Sequence, residues 1–105
     1  MNAPILPPHG TQPARLLAVA LLGQKISPLE GWKRLGIYRL ADTKFQLKKL
    51  GWPMEAGRLD VANRFGEPCH VAQYGLPAQA IEDAGAAGQA FAIRELELMQ
   101  SRKVA

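Results

Sequence analysis

Cysteine is almost missing from this chain. Cys69 is the only one in 105 residues, so no internal disulfide is possible. That fits a reducing compartment, and the expected localisation is cytoplasmic. Histidine is nearly as scarce. His9, Cys69 and His70 are the only imidazole or thiol groups, too few for a closed zinc site. Cys69 and His70 are neighbours on an expected strand and so point to opposite faces, which also argues against a Cys–His nucleophile pair. Neither a G-x-x-x-x-G-K-[ST] phosphate loop nor a G-x-S-x-G elbow occurs. These gaps leave no metal, no cofactor and no enzymatic chemistry to expect. No apolar run approaches the length that crosses a bilayer, so no membrane partner is expected. The opening residues, MNAPILPPHG, have no basic region with an apolar core behind it, and no signal peptide is expected there. Their three prolines suggest instead a flexible leader over residues 1–10.

Acid is scarce too, but only in the first half. Residues 1–51 hold eight lysines and arginines against Glu30 and Asp42, a balance of +6. Residues 52–105 hold five basic residues against seven acids, a balance of −2. A positive half of this kind suits a polyanionic partner, or it is an ordinary solvated face. With 48% hydrophobic residues the chain is globular and of single-domain length.

Helical signals fill the first half. Thr11 can cap a helix running to about Gly23, with Pro13 in its first turn and Leu16, Leu17, Ala20 and Leu21 on one face. Ser27-Pro28-Leu29-Glu30 reads as a capping box that opens a second, short helix ending at Leu35-Gly36. Gly31 inside it lowers helix propensity by about 1 kcal/mol against alanine, which suggests close packing with a neighbour. After Gly36-Ile37-Tyr38 a third helix is expected from Arg39 to Leu50, stopped by Gly51 and Pro53. Leu40, Thr43, Leu47 and Leu50 share its apolar face, while Asp42, Phe45 and Lys49 lie opposite. Two short helices around a tight glycine-containing turn form a helix-turn-helix signature.

The periodicity then changes. Residues 52–61 and 69–76 read as strands, the first with a parity switch near Gly57 that suggests a bulge. Asn63-Arg64-Phe65-Gly66-Glu67-Pro68 is the loop between them. A hairpin after a helix-turn-helix is a wing, with Asn63 and Arg64 at its tip. Residues 78–105 form an alanine-rich segment with a short helix at 78–84 and a firmer one at 89–102. On the latter, Ala92, Leu96 and Met99, widened by Phe91, Ile93 and Leu98, make a stripe that must cover the domain itself or a second copy of the chain.

Residues 12–77 resemble the small winged helix-turn-helix proteins common in proteobacterial genomes and their prophages. The resemblance lies in Ser27-Pro28-Leu29-Glu30, Leu35-Gly36, Arg39-Leu40, Leu47, Gly51-Trp52-Pro53-Met54 and Val71-Ala72-Gln73-Tyr74-Gly75-Leu76-Pro77. It implies DNA binding, with the third helix as recognition helix and the hairpin as wing. Two positions depart from the pattern: Lys44 stands where an aliphatic residue is usual, and Asp42 where a small one is.

The expected architecture is therefore α+β: a winged helix-turn-helix over residues 11–77, comprising three helices and a β-hairpin, with an additional C-terminal helix. The expected function is sequence-specific duplex DNA binding by a small transcriptional or phage-type regulator. Arg39 can pair a guanine edge, Gln46 an adenine, and Asp42 can accept from cytosine. Lys44, Lys48, Lys49 and Arg64 suit phosphates. Phe45 can pack under the wing or meet a thymine methyl. Trp32, Trp52 and Tyr74 are expected in the core, and His70 as a packed or wing-base residue. Residues 89–102 are candidates for a homodimer contact. The rival reading is a winged helix used as an interaction module for an acidic protein partner; RNA binding is a third.

Overall fold

The computed structural model describes residues 3–102; residues 1–2 of the expected leader and 103–105 of the C-terminal segment lie outside the described residues. Helix α1 (Gln12–Leu21) is capped by Thr11, whose hydroxyl accepts from the Ala14 N–H at 3.3 Å. Helix α2 (Pro28–Leu35) begins with both halves of the capping box: Glu30 N–H donates to Ser27 Oγ at 3.3 Å, and Ser27 N–H donates to Glu30 Oε1 at 3.1 Å. The Ser27 backbone donor holds the Glu30 carboxyl below the usual glutamate pKa, with help from the Ser27 side chain and Arg34 against an opposing effect of burial. Helix α3 (Leu40–Lys49) buries Leu40, Thr43 and Leu47, the face that a 100° step selects. Gly31 is the close approach its sequence position suggested: a Cβ there would stand 3.1 Å from Leu40 Cδ1.

The strands β1 (Glu55–Ala62) and β2 (Pro68–Gly75) form an antiparallel hairpin in unbroken register from Glu55↔Gly75 to Ala62↔Pro68. The expected bulge at Gly57 is absent, since Gly57 pairs directly with Gln73. The apparent parity switch has another cause. Trp52 and Met54 are core residues of the connector before β1, whereas Leu59 and Val61 belong to a hairpin that projects from the core and leaves both exposed. At its base the hairpin is tied to the chain ahead of α2. Ile26 N–H donates to Tyr74 O at 2.9 Å and Tyr74 N–H donates to Ile26 O at 2.8 Å.

Helix α4 (Ala78–Arg102) consists, as expected, of two helical parts; they meet at a kink at Gly85 (φ 56°, ψ −147°), a left-handed φ that a side chain would disfavour. Its second part folds back on α1 of its own chain and buries Phe91, Ala92 and Glu95, with Met99 partly covered. The expected stripe is thereby rotated. Leu96 and Ile93 remain exposed, and the acid Glu95 takes the inward place. It does so because the segment ahead of α1 satisfies it: Glu95 Oε2 lies 2.7 Å from His9 Nδ1, and Gly10 N–H reaches both carboxylate oxygens at 3.0 and 3.1 Å. His9 also stacks on Phe91 at 4.6 Å. Residues 3–10, read from sequence as a flexible leader, have a second tie. Ile5 N–H donates to Leu50 O, and the Trp52 indole donates to Ile5 O, both at 2.8 Å.

One core joins these elements. Leu16, Leu17 and Leu21 of α1, Ile26, Ile37, Leu40, Leu47, Trp52, Met54 and Phe91 are all buried, with Tyr74 packed at its edge. Trp32 corrects its expectation: it is 57% exposed, edge-on to the exposed Tyr38 at 5.8 Å. On α2 the buried positions are Gly31 and Leu35, and Trp32 lies off that side. His70 is also exposed, on the hairpin rather than packed at its base. No helix of the described residues is long and apolar enough to cross a membrane, and they hold no cluster of three metal-ligating side chains.

Candidate nucleic-acid interface

Burial of Leu40, Thr43 and Leu47 turns the opposite side of α3 outward. Phe45 sits near the centre of that side, 58% exposed. The Lys49 ammonium lies over its ring, 4.7 Å from the centroid, within the range at which a cation is drawn to an aromatic face. Asp42, Gln46 and Lys48 are exposed around them. Lys48 and Lys49 occupy the last turn of α3, where a positive charge complements the helix dipole.

Arg39 is the N-cap residue of α3 and makes no side-chain cap. Its guanidinium stands 3.9 Å from Asp42 Oδ2, with both side chains largely exposed, so the contact is a weak surface pair. Lys44 lies apart from this group. It is half-buried on the flank of α3, with its ammonium 5.3 Å from the centre of the Tyr74 ring on β2. An ammonium held over an aromatic face explains how lysine is accommodated where the resemblance leads one to expect an aliphatic side chain.

The hairpin turn is organised by Asn63. Its Oδ1 accepts from Phe65 N–H at 2.9 Å and Glu67 N–H at 3.0 Å, and its Nδ2 donates to Glu67 Oε1 at 3.0 Å. Asn63 therefore shapes the tip, and the side chains displayed there are Arg64 and Phe65. Sequence reasoning misses a polar triad further down the hairpin. His70 Nδ1 lies 2.6 Å from Asp60 Oδ1, Arg58 Nε donates to the same oxygen at 3.1 Å, and Arg58 Nη2 lies 3.2 Å from His70 Nε2. The register puts Asp60 opposite His70 and Arg58 opposite Ala72, on the strand face that Tyr74 shares. Strict alternation from Tyr74 finds this face; a bulge at Gly57 would hide it.

The candidate residues thus fall in two groups. Arg39, Asp42, Gln46, Lys48 and Lys49 share the outward part of α3, around Phe45. Arg64 stands at the hairpin tip, and Lys44 bridges from helix to hairpin. Three helices, a two-stranded antiparallel wing and a C-terminal helix make up the winged helix-turn-helix arrangement. No curated protein and no solved structure matches the chain. The family model described as "Winged helix-turn-helix domain" matches residues 11–79, more than half of the chain and the whole span from the α1 cap to the first residues of α4. That domain is a DNA-binding fold, typically without catalytic activity, and the chain belongs to the winged helix-turn-helix family.

Proposed function

We propose that the protein binds duplex DNA sequence-specifically, as a small transcriptional or phage-type regulator, with α3 in the major groove and the hairpin along the backbone. One observation carries this reading: the outward side of α3 displays Phe45 among Gln46, Lys48 and Lys49, on a helix of the width that the major groove admits. In this arrangement Lys48, Lys49 and Arg64 neutralise phosphates, and Lys44 supports them from the flank. Arg39, released from its weak pair with Asp42, addresses a guanine edge. Gln46 addresses adenine, Asp42 accepts from cytosine, and Phe45 meets a thymine methyl. Two copies pair through the part of residues 89–102 that α1 leaves uncovered, centred on Ile93. They present their recognition helices to half-sites about 34–36 Å apart.

Fluorescence anisotropy on a selected site and on scrambled duplexes, at several salt concentrations, tests the reading. Arg39→Ala is expected to lose about 1–3 kcal/mol on the selected site and to relax preference at one base pair. The exposed Lys33 and Arg34 of α2, flanked by the exposed Leu29, Trp32 and Tyr38, favour a second reading, an interaction module for an acidic protein partner. Wild-type protein that binds no duplex even at low salt would move the assignment to that module.

A further inference from the structure

A groove of about 700 Å³ opens between α1, the C-terminal end of α2 and the last turns of α4. No residue of α3 or the hairpin lines it, so it is separate from the face proposed for DNA. Its α4 wall lies beyond residues 11–79, the span of the family match. The groove is apolar along Leu35, Leu96 and Met99, and cationic at Arg15, Lys33 and Arg102. Among the described residues Glu95 is the one acid that lines it, and its oxygens are already engaged by His9 and the Gly10 N–H.

The arginines are placed unusually. Arg15 Nη1 and Arg102 Nη1 donate to the same carbonyl oxygen, Gly10 O, at 3.2 and 3.1 Å. Arg15 Nε donates to a second neutral acceptor, Leu35 O, at 2.7 Å. Among the described residues neither guanidinium has a carboxylate within ion-pair distance. Partial burial lowers the Arg15 pKa, the neighbouring Arg102 charge lowers it further, and Glu95 opposes this only in part. Two like charges are thus brought to one carbonyl beside an apolar groove. An anion lying between two guanidinium forks would relieve that repulsion with charge-assisted hydrogen bonds.

We propose that this groove binds a small organic carboxylate with an apolar body, the carboxylate held between Arg15 and Arg102, Lys33 at the rim, and the apolar part on Leu35, Leu96 and Met99. The volume falls within the roughly 300–1,000 Å³ range of small-molecule sites, and two guanidinium forks beside apolar side chains match a carboxylate on an apolar body. A bound carboxylate would link α2 to the part of α4 that lies beyond the family match.

The test is a titration of the full chain followed by methyl and amide NMR, with sodium decanoate, decanol and inorganic phosphate as probes. Decanoate is expected to shift the Leu35, Leu96 and Met99 methyl signals. Decanol is expected to bind about tenfold more weakly or worse, because it lacks the charge-assisted bonds. Inorganic phosphate alone is expected not to displace decanoate. Arg102→Gln, at an exposed position, is expected to weaken decanoate binding about tenfold by the same reasoning, and Lys33→Gln to weaken it less and to flatten its salt dependence. The Lys33 side chain makes no hydrogen bond or ion pair among the described residues, so that variant reports on the groove even if Arg102→Gln disturbs the fold. The proposal is overturned by decanoate that leaves the groove signals unmoved, by equal affinity for decanoate and decanol, by displacement with phosphate alone, or by unchanged binding in both variants.

Discussion

Ser27 and Glu30 show how much one local pattern can specify. Their reciprocal hydrogen bonds satisfy orphan donors at the start of α2 and set where the helix-turn-helix begins. Ser27→Ala is expected to lose about 1 kcal/mol of stability, read as a lower denaturant midpoint. The Glu30 carboxyl is held below its usual pKa in the folded chain, so the stabilisation it brings is full above the unfolded value, about 4.3. It is lost as pH falls through the lower folded value. Acid melts from pH 6 to pH 2 are therefore expected to converge for wild type and Glu30→Gln at the acid end; an unchanged gap at low pH would count against the capping carboxylate. At Glu95 the logic is reversed. Nothing local predicts that an acid will be buried in an amphipathic helix; it is 0% exposed because His9 and Gly10, far away in sequence, supply its partners.

At the scale of the element, α3 has two faces with separable roles. Leu47 is fully buried, and Leu47→Ala is expected to cost about 2–5 kcal/mol. A loss within the noise of a denaturant melt would mean that this face is not the one that packs. Lys48 and Lys49 are exposed on the other side, so replacing both with alanine should leave the melt nearly unchanged. The double variant should weaken all duplexes alike and reduce the slope of log K against log[salt] by roughly 0.9 for each phosphate that is no longer neutralised. DNA binding equal to wild type would remove these lysines from the interface. The hairpin behaves differently from the helices. Its own ladder and the Ile26–Tyr74 bridge hold it, while Leu59 and Val61 stay exposed. Its alternation therefore carries little information about burial, which is why hydrophobic pattern alone misplaces its strand parity.

For the whole molecule, the question is what the last helix covers. Phe91 and Ala92 are buried against α1, so α4 completes the chain's own core. Pairing of copies through residues 89–102 must use what α1 leaves uncovered. Ile93→Glu is expected to leave the thermal melt close to wild type and to convert a dimer to a monomer in sedimentation. A wild-type protein that is already monomeric at micromolar concentration ends the pairing proposal. The segment ahead of α1 belongs to the same scale. Its hydrogen bonds to Leu50, Trp52 and Glu95 join the two ends of the domain. Removing residues 1–9 is expected to lower the melting temperature, because Glu95 would lose its His9 partner, Phe91 its stacked imidazole, and Leu50 and Trp52 their bonds to Ile5.

Helix existence, the capping box, the inward face of α3, the hairpin and the family resemblance were all legible in the sequence. Each rests on interactions between residues a few positions apart or on periodicity, and such patterns survive without knowledge of the fold. The outward array on α3 was legible for the same reason, since a buried face fixes its opposite. Tertiary structure alone decided the exposure of Trp32, the rotation of the α4 stripe, the burial of Glu95 and the convergence of Arg15 and Arg102 on Gly10. Each of these depends on partners brought together from distant parts of the chain or on which of two apolar surfaces is covered first. Composition and periodicity hold no record of such long-range pairing, because its stabilisation comes from desolvation and hydrogen bonding that exist only once the chain has closed.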